Sequence, residues 1–141
     1  MAKIAGVDVL LKVQTGEDGT TGDPIYTDVG GQSGATLNRS TNVIEATAKT
    51  DLGWAGNLAG VNSWSIDCEG FIVPDDTALD KLETAWENRE TVKAHILMPS
   101  GKTYEGDCII SDFPAEFPQD GAVTFSLSLT GTGALAVTPA V

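Results

Sequence analysis

The sequence predicts a mainly β domain with a single helix covering one edge or face of the sheet. Three observations carry this. Apolar and polar residues alternate with period two over most of the second half of the chain. Sixteen glycines are spread through 141 residues, as a turn-rich fold requires. Only one stretch, after Pro74, has helical spacing.

Val123, Phe125, Leu127 and Leu129 alternate with Thr124, Ser126, Ser128 and Thr130, which describes a strand with one buried face and one hydroxyl-rich face. Over 61–72, Trp64, Ile66, Cys68 and Ile72 share one side, and Ser63, Ser65, Asp67 and Glu69 the other. Val92, Ala94, Ile96 and Met98 alternate with Lys93 and His95. The turn Pro99-Ser100-Gly101-Lys102 then leads into a strand over Thr103–Phe113, making a hairpin. Glu105 and Asp107 fall on one side of that strand, and Tyr104, Cys108 and Ile110 on the other.

The first half is less regular. Ile4–Val13 is apolar and β-branched. Gln14–Pro24, with Gly16, Gly19 and Gly22, is expected to be an exposed hairpin tip from which Ile25–Val29 returns. Ala35–Ser40 and Asn42–Ala48 are two further candidate strands. The glycine-containing loop Lys49–Gly60 carries Leu52, Trp54 and Leu58, side chains large enough that the loop must lie against something. In the helix, Thr77 is the expected cap, and Ala78, Leu79, Leu82, Ala85 and Trp86 form the buried stripe.

Composition narrows the function. Acidic residues outnumber basic ones 20 to 8, for a net charge of −12, and no two basic residues are adjacent. Nucleic-acid recognition needs clustered cations, and an anionic membrane needs them too, so neither is an expected partner. No apolar run is long enough to span a bilayer, and no secretory signal is expected from Met1-Ala2-Lys3-Ile4. The chain is expected to fold in a cytoplasm as one domain over 1–141. Cys68 and Cys108 are expected as reduced core thiols.

Candidate chemistry is sparse. Asp67/Glu69 and Glu105/Asp107 can face each other across neighbouring strands, as the carboxylates of a glycosidase do, but Ser and Thr surround them where sugar-stacking aromatics belong. His95 is the single histidine and sits mid-strand, with no elbow-type turn around any serine. Gly16, Gly19 and Gly22 do not join a strand to a helix, so they form no phosphate cradle. Asp18, Asp23 and Asp28 lack calcium-loop spacing, and one His with two separated Cys cannot complete a zinc site. No catalytic, metal or cofactor-binding residue is assigned, and no enzyme activity is expected.

The ordered segments resemble the major tail tube proteins of non-contractile, long-tailed bacteriophages and their gene-transfer-agent relatives. The resemblance rests on Ile4–Leu11, Val29-Gly30-Gly31-Gln32, Asn42–Thr47 leading to Gly53-Trp54, and Asn62–Ile66 followed by Gly70. It continues through the single helix, Thr103–Gly106, Ile109–Ser111 and Leu127–Leu135. It implies a β-sandwich or barrel with one flanking helix and a structural virion protein of the tail, assembled in the host cytoplasm. Such proteins self-assemble as stacked hexameric rings around a channel for DNA passage during ejection. It also implies other tail proteins as partners (tape measure, tail tip and terminator) and no cofactor. Six copies at −12 each carry −72 per ring, and carboxylates at the channel wall would let DNA slide without sticking. Asp67, Glu69, Glu105 and Asp107 are the lumen-facing candidates, beside Ser126 and Ser128. Leu52, Trp54 and Leu58 of the 49–60 assembly loop are subunit-interface candidates, as are Leu135 and Val137 of an uncharged C-terminal arm over 131–141. Two other readings stand beside this one: a carbohydrate- or host-binding β-sandwich module, and the inner tube subunit of a contractile injection system.

Overall fold

A computed structural model describes the chain apart from residues 1, 2, 4, 7, 8, 18, 23, 140 and 141 and the side chain of Asp51. In chain order the described elements are β1 (Leu10–Glu17), β2 (Pro24–Asp28), β3 (Gln32–Glu45) and β4 (Asn57–Phe71). Helix α1 (Thr77–Asn88) follows, then β5 (Thr91–Leu97), β6 (Thr103–Asp112), β7 (Ala115–Glu116), β8 (Thr124–Gly131) and β9 (Ala136–Thr138). The pairings are antiparallel, and the main path runs β2-β1-β5-β6-β8-β4-β3; β7 adds to β8 and β9 to β6. The fold is mainly β with one flanking helix, its sheet curled into a half-barrel.

Period-two alternation sets which face turns inward. Leu11 and Val13, Ile66 and Cys68, Val92, Ala94 and Ile96, Cys108 and Ile110, and Phe125, Leu127 and Leu129 are all buried on the concave side. Ala78, Leu79, Leu82 and Ala85 of α1 close over them. Each fully buried leucine contributes about 1.5–3 kcal/mol. Cys68 and Cys108 belong to this core and are not bonded to each other. Burial pushes their thiols up to about 11 and about 12, so neither is a thiolate at neutral pH.

The curl is tied by one side chain. β1 and β3 are well separated along the strand path, yet the Gln32 amide spans them. Its Nε2 donates to the carbonyls of Leu11 (3.0 Å) and Val29 (2.8 Å), and its Oε1 accepts from the Leu11 N–H at 3.0 Å. The Leu11 N–H and the Val29 carbonyl thereby find partners past the end of the β1–β2 pairing.

Four sequence expectations change. The first strand starts at Leu10 and runs to Glu17, so it takes in the beginning of the expected hairpin tip; Ile4, Val7, Asp8, Asp18 and Asp23 lie outside the described residues. The two strands expected over 35–48 are one, with a register shift between Thr41 and Val43 absorbing the break in pattern. The cap of α1 is Asp76, whose carboxylate accepts from the Leu79 N–H at 3.2 Å; Thr77 is the first helical residue. Trp86 is 59% exposed, because the buried stripe closes on Ala85 and leaves the next residue on the helix flank.

Asp76 also accepts from the Gly30 N–H at 3.1 Å, so one carboxylate fixes the helix start and the turn before β3. Asp76→Ala removes the cap and orphans both donors. The expected loss is about 2 kcal/mol in urea unfolding. Asp76→Asn, which keeps an acceptor, should recover most of it.

Candidate assembly and channel surfaces

The convex face of the sheet is built by the other half of each alternating strand. Asp67, in the centre of β4, accepts from Asn38 Nδ2 on β3 (2.9 Å) and from Ser128 Oγ on β8 (3.0 Å). Asn38 also donates to Ser65 Oγ at 3.3 Å, and the Ser40 and Ser63 hydroxyls meet at 2.8 Å. The result is a ladder of short polar side chains across three strands, with Glu69 and Ser126 exposed beside it.

Further along the same face lies a second cluster. Glu105 stands opposite His95 and Asp107 opposite Lys93. Glu105 accepts from the Tyr26 hydroxyl at 3.0 Å, and the Tyr26 ring packs on His95 at 4.4 Å between centroids. Burial, helped by Glu105, pushes the Tyr26 hydroxyl up to about 12. Burial pulls His95 below its ordinary value, with Lys12 adding to the effect and Glu105 opposing it. Lys12 pairs with Asp28 at 3.7 Å.

The two carboxylate pairs are not on neighbouring strands as the glycosidase geometry requires. β8 lies between β4 and β6, so Asp67 faces Ser128 while Glu105 faces His95. Among the described residues no group of three or more His, Cys, Asp or Glu side chains is arranged to hold a metal.

The second surface is the far half of the β3–β4 hairpin. Beyond Thr41 and Asn62 the pairs Val43–Ala59, Ile44–Leu58 and Glu45–Asn57 continue past the body of the sheet. A 3-10 turn over Lys49–Asp51 leads to Leu52 and Gly53, both at positive φ (53° and 88°). The base of the tip is closed by the Ala46 N–H donating to the Gly56 carbonyl (2.8 Å) and by Thr47 Oγ1 accepting from the Gly56 N–H (2.9 Å). Leu52 is 87% and Trp54 79% exposed, and Leu58 is exposed as well. The loop therefore does not fold back on its own domain. Val43, Ile44 and Val61 are exposed on the same arm and join the candidates that the sequence offers there. Their signal is apolar residues on both sides of a strand that has no core to face.

The C-terminal arm divides. β9 pairs with the start of β6, opposing Val137 to Tyr104 and Ala136 to Glu105. Leu135 is partly buried against this chain's own core, while Val137 remains exposed. Just before it, the Gly133 carbonyl accepts from Trp64 Nε1 at 3.1 Å. The body of the arm is thus anchored through its first turn; Ala140 and Val141 lie outside the described residues.

Comparison with known proteins fits this construction. A search of curated sequences finds no match. In solved structures, the chain is similar to a subunit in the tail of an empty gene transfer agent particle refined with C6 symmetry. That match has a TM-score of 0.82 at 22% identity and covers 98% of this chain and 100% of that one. It is similar to the SPP1 tail tube protein (TM-score 0.74, 18% identity, 96% of this chain and 78% of that one). An extracellular contractile injection system, at its sheath/tube terminator, gives a TM-score of 0.66 at 14% identity, covering 99% of each chain. These likenesses establish the fold. The family model described as phage tail tube protein matches residues 3–137, and on that near-complete match the chain belongs to the phage tail tube protein family, the structural subunits of the virion tail tube.

Proposed function

We propose that this subunit assembles as six-fold rings stacked into a tube, with the convex polar face of its sheet lining the channel through which DNA passes. The observation that carries the assembly is the β3–β4 hairpin. Leu52 and Trp54 stand in solvent on a rigidly based arm that the rest of the chain does not cover. Such a surface is stable only when another molecule buries it. For the channel, the support is the face bearing Asp67 and Glu69 among hydroxyls and Glu105 and Asp107 opposite His95 and Lys93, where acids outnumber the lysines and so disfavour phosphate. Stacking ends where tail tip and terminator proteins cap the tube, and a tape measure protein occupies the channel before ejection.

Negative-stain microscopy of the concentrated purified protein tests this. Six-fold rings and tubes are expected; a strict monomer at every concentration overturns it. A glycan-binding monomer would support the rival module, although the tryptophans form no platform: Trp64 is buried, Trp86 flanks the helix and Trp54 tops the hairpin. For the channel face, Asp67→Lys with Glu105→Lys should slow DNA ejection from assembled tails several-fold at low salt and less at high salt, since screening shortens the interaction. Ejection kinetics that do not change at low salt place this face elsewhere.

A further inference from the structure

The chain carries a groove as well as an uncovered knob. Between β1, β3 and the β5–β6 turn lies an open, mostly apolar groove of about 670 Å3 on the concave side, walled by Leu11, Leu37, Ile96 and Met98. At its rim Arg39 sits with its guanidinium carbon 5.5 Å from the Tyr104 ring centre. A cavity of about 150 Å3 already accepts a benzene-sized molecule, so this one has room for an indole and a leucine together. Among the described residues, no carboxylate of this chain forms an ion pair with Arg39. In a protein with 20 acidic and 8 basic residues, that cation is placed where an acid from elsewhere would find it.

We infer that this groove is the receptor for the β3–β4 hairpin of a second copy of the chain, with Leu52 and Trp54 entering the apolar cleft and an acidic residue of the same tip meeting Arg39. This rests on the tube reading and names the surface that receives the arm. Three observations select a second copy as occupant. Among the described residues, knob and groove are both apolar and both uncovered. The tip sequence Lys49-Thr50-Asp51-Leu52-Gly53-Trp54 sets an acid directly beside the apolar pair, which complements an arginine at the rim of an apolar groove. Knob and groove are also different patches of one surface. Such contacts are head-to-tail, and they close into rings or continue as filaments, whereas a self-complementary patch stops at a dimer.

The test uses the full chain and mixed assemblies. Leu52→Cys and Ala35→Cys place thiols on the tip and on the exposed groove wall, apart from the two buried cysteines. Co-assembled under mild oxidation, the two variants should yield a crosslinked dimer that neither gives alone. Ala35→Trp, which fills the groove, should raise the concentration needed for tube formation at least tenfold while the monomer unfolds normally. Arg39→Glu should raise it several-fold, and adding Asp51→Arg should restore part of the loss. Tubes that form at the usual concentration with all these variants, without the crosslink, overturn the groove assignment and leave the tube reading intact. Wild-type protein that never assembles overturns both. A groove filled by the chain's own N-terminal residues would show as an Ala35→Cys thiol protected from maleimide already in the monomer, and that result also overturns the proposal.

Discussion

Gly131→Val should destabilise the monomer by about 3–5 kcal/mol, a large share of the stability of a domain this size. Gly131 ends β8, and the Trp64 indole lies flat on its backbone. A Cβ at this position would come within 2.2 Å of the ring, and one at Gly106, on the neighbouring β6, within 2.6 Å. The two glycines make the slot that lets a residue as large as Trp64 stay 7% exposed while its Nε1 reaches the Gly133 carbonyl. Any side chain at 131 must expel the indole, which forfeits its burial and leaves the hydrogen bond unmade. A double-mutant cycle isolates the cause. Gly131→Ala should cost about 2–3 kcal/mol in the native background and close to nothing beside Trp64→Ala, giving a coupling of about 2–3 kcal/mol. Equal costs in both backgrounds would show that the indole is not what the glycine accommodates.

That slot illustrates where the sequence is legible. Alternation in β4, β5, β6 and β8 assigns their inward residues correctly, because each of these strands has one face on a core and one away from it. The same logic fails on the hairpin arm. Val43 and Ile44 are adjacent and both exposed, so the strand expected over Asn42–Ala48 has no inward face to assign, and the last four residues of the loop expected over Lys49–Gly60 belong to β4. It fails for Trp86, where helical spacing gives the stripe but not the edge at which the sheet stops covering it. The convex-face carboxylates were identified individually, yet their separation by β8 depends on strand order, which no local pattern encodes. Gln32 and Arg39 are single polar residues in strands, and what each does depends on β1 and on Tyr104, 21 and 65 positions away along the chain.

Truncation after Gly133 should leave a folded, cooperatively unfolding monomer that is about 3 kcal/mol less stable than the full chain. β9 adds only three residues to β6, at Thr103, Tyr104 and Glu105. Its backbone hydrogen bonds contribute about 0.5–1.5 kcal/mol each, net of solvation. Leu135, only partly buried against the core, adds less than the 1.5–3 kcal/mol of a fully buried leucine. The central path from β1 through β4 does not pass through the arm, and Gly133 is retained, so the Trp64 hydrogen bond survives the cut. Folding should therefore persist, with a lower urea midpoint and a slightly smaller denaturant slope. Removing β9 also bares the start of β6, an open strand edge that invites non-specific pairing between chains. The truncated protein is thus expected to aggregate irregularly where the full chain makes tubes. If its stability is unchanged, the arm is not held by its own domain, and Leu135 and Val137 are both free for a neighbouring subunit. If it does not fold at all, the arm belongs to the core more deeply than a three-residue strand and one half-buried leucine would allow.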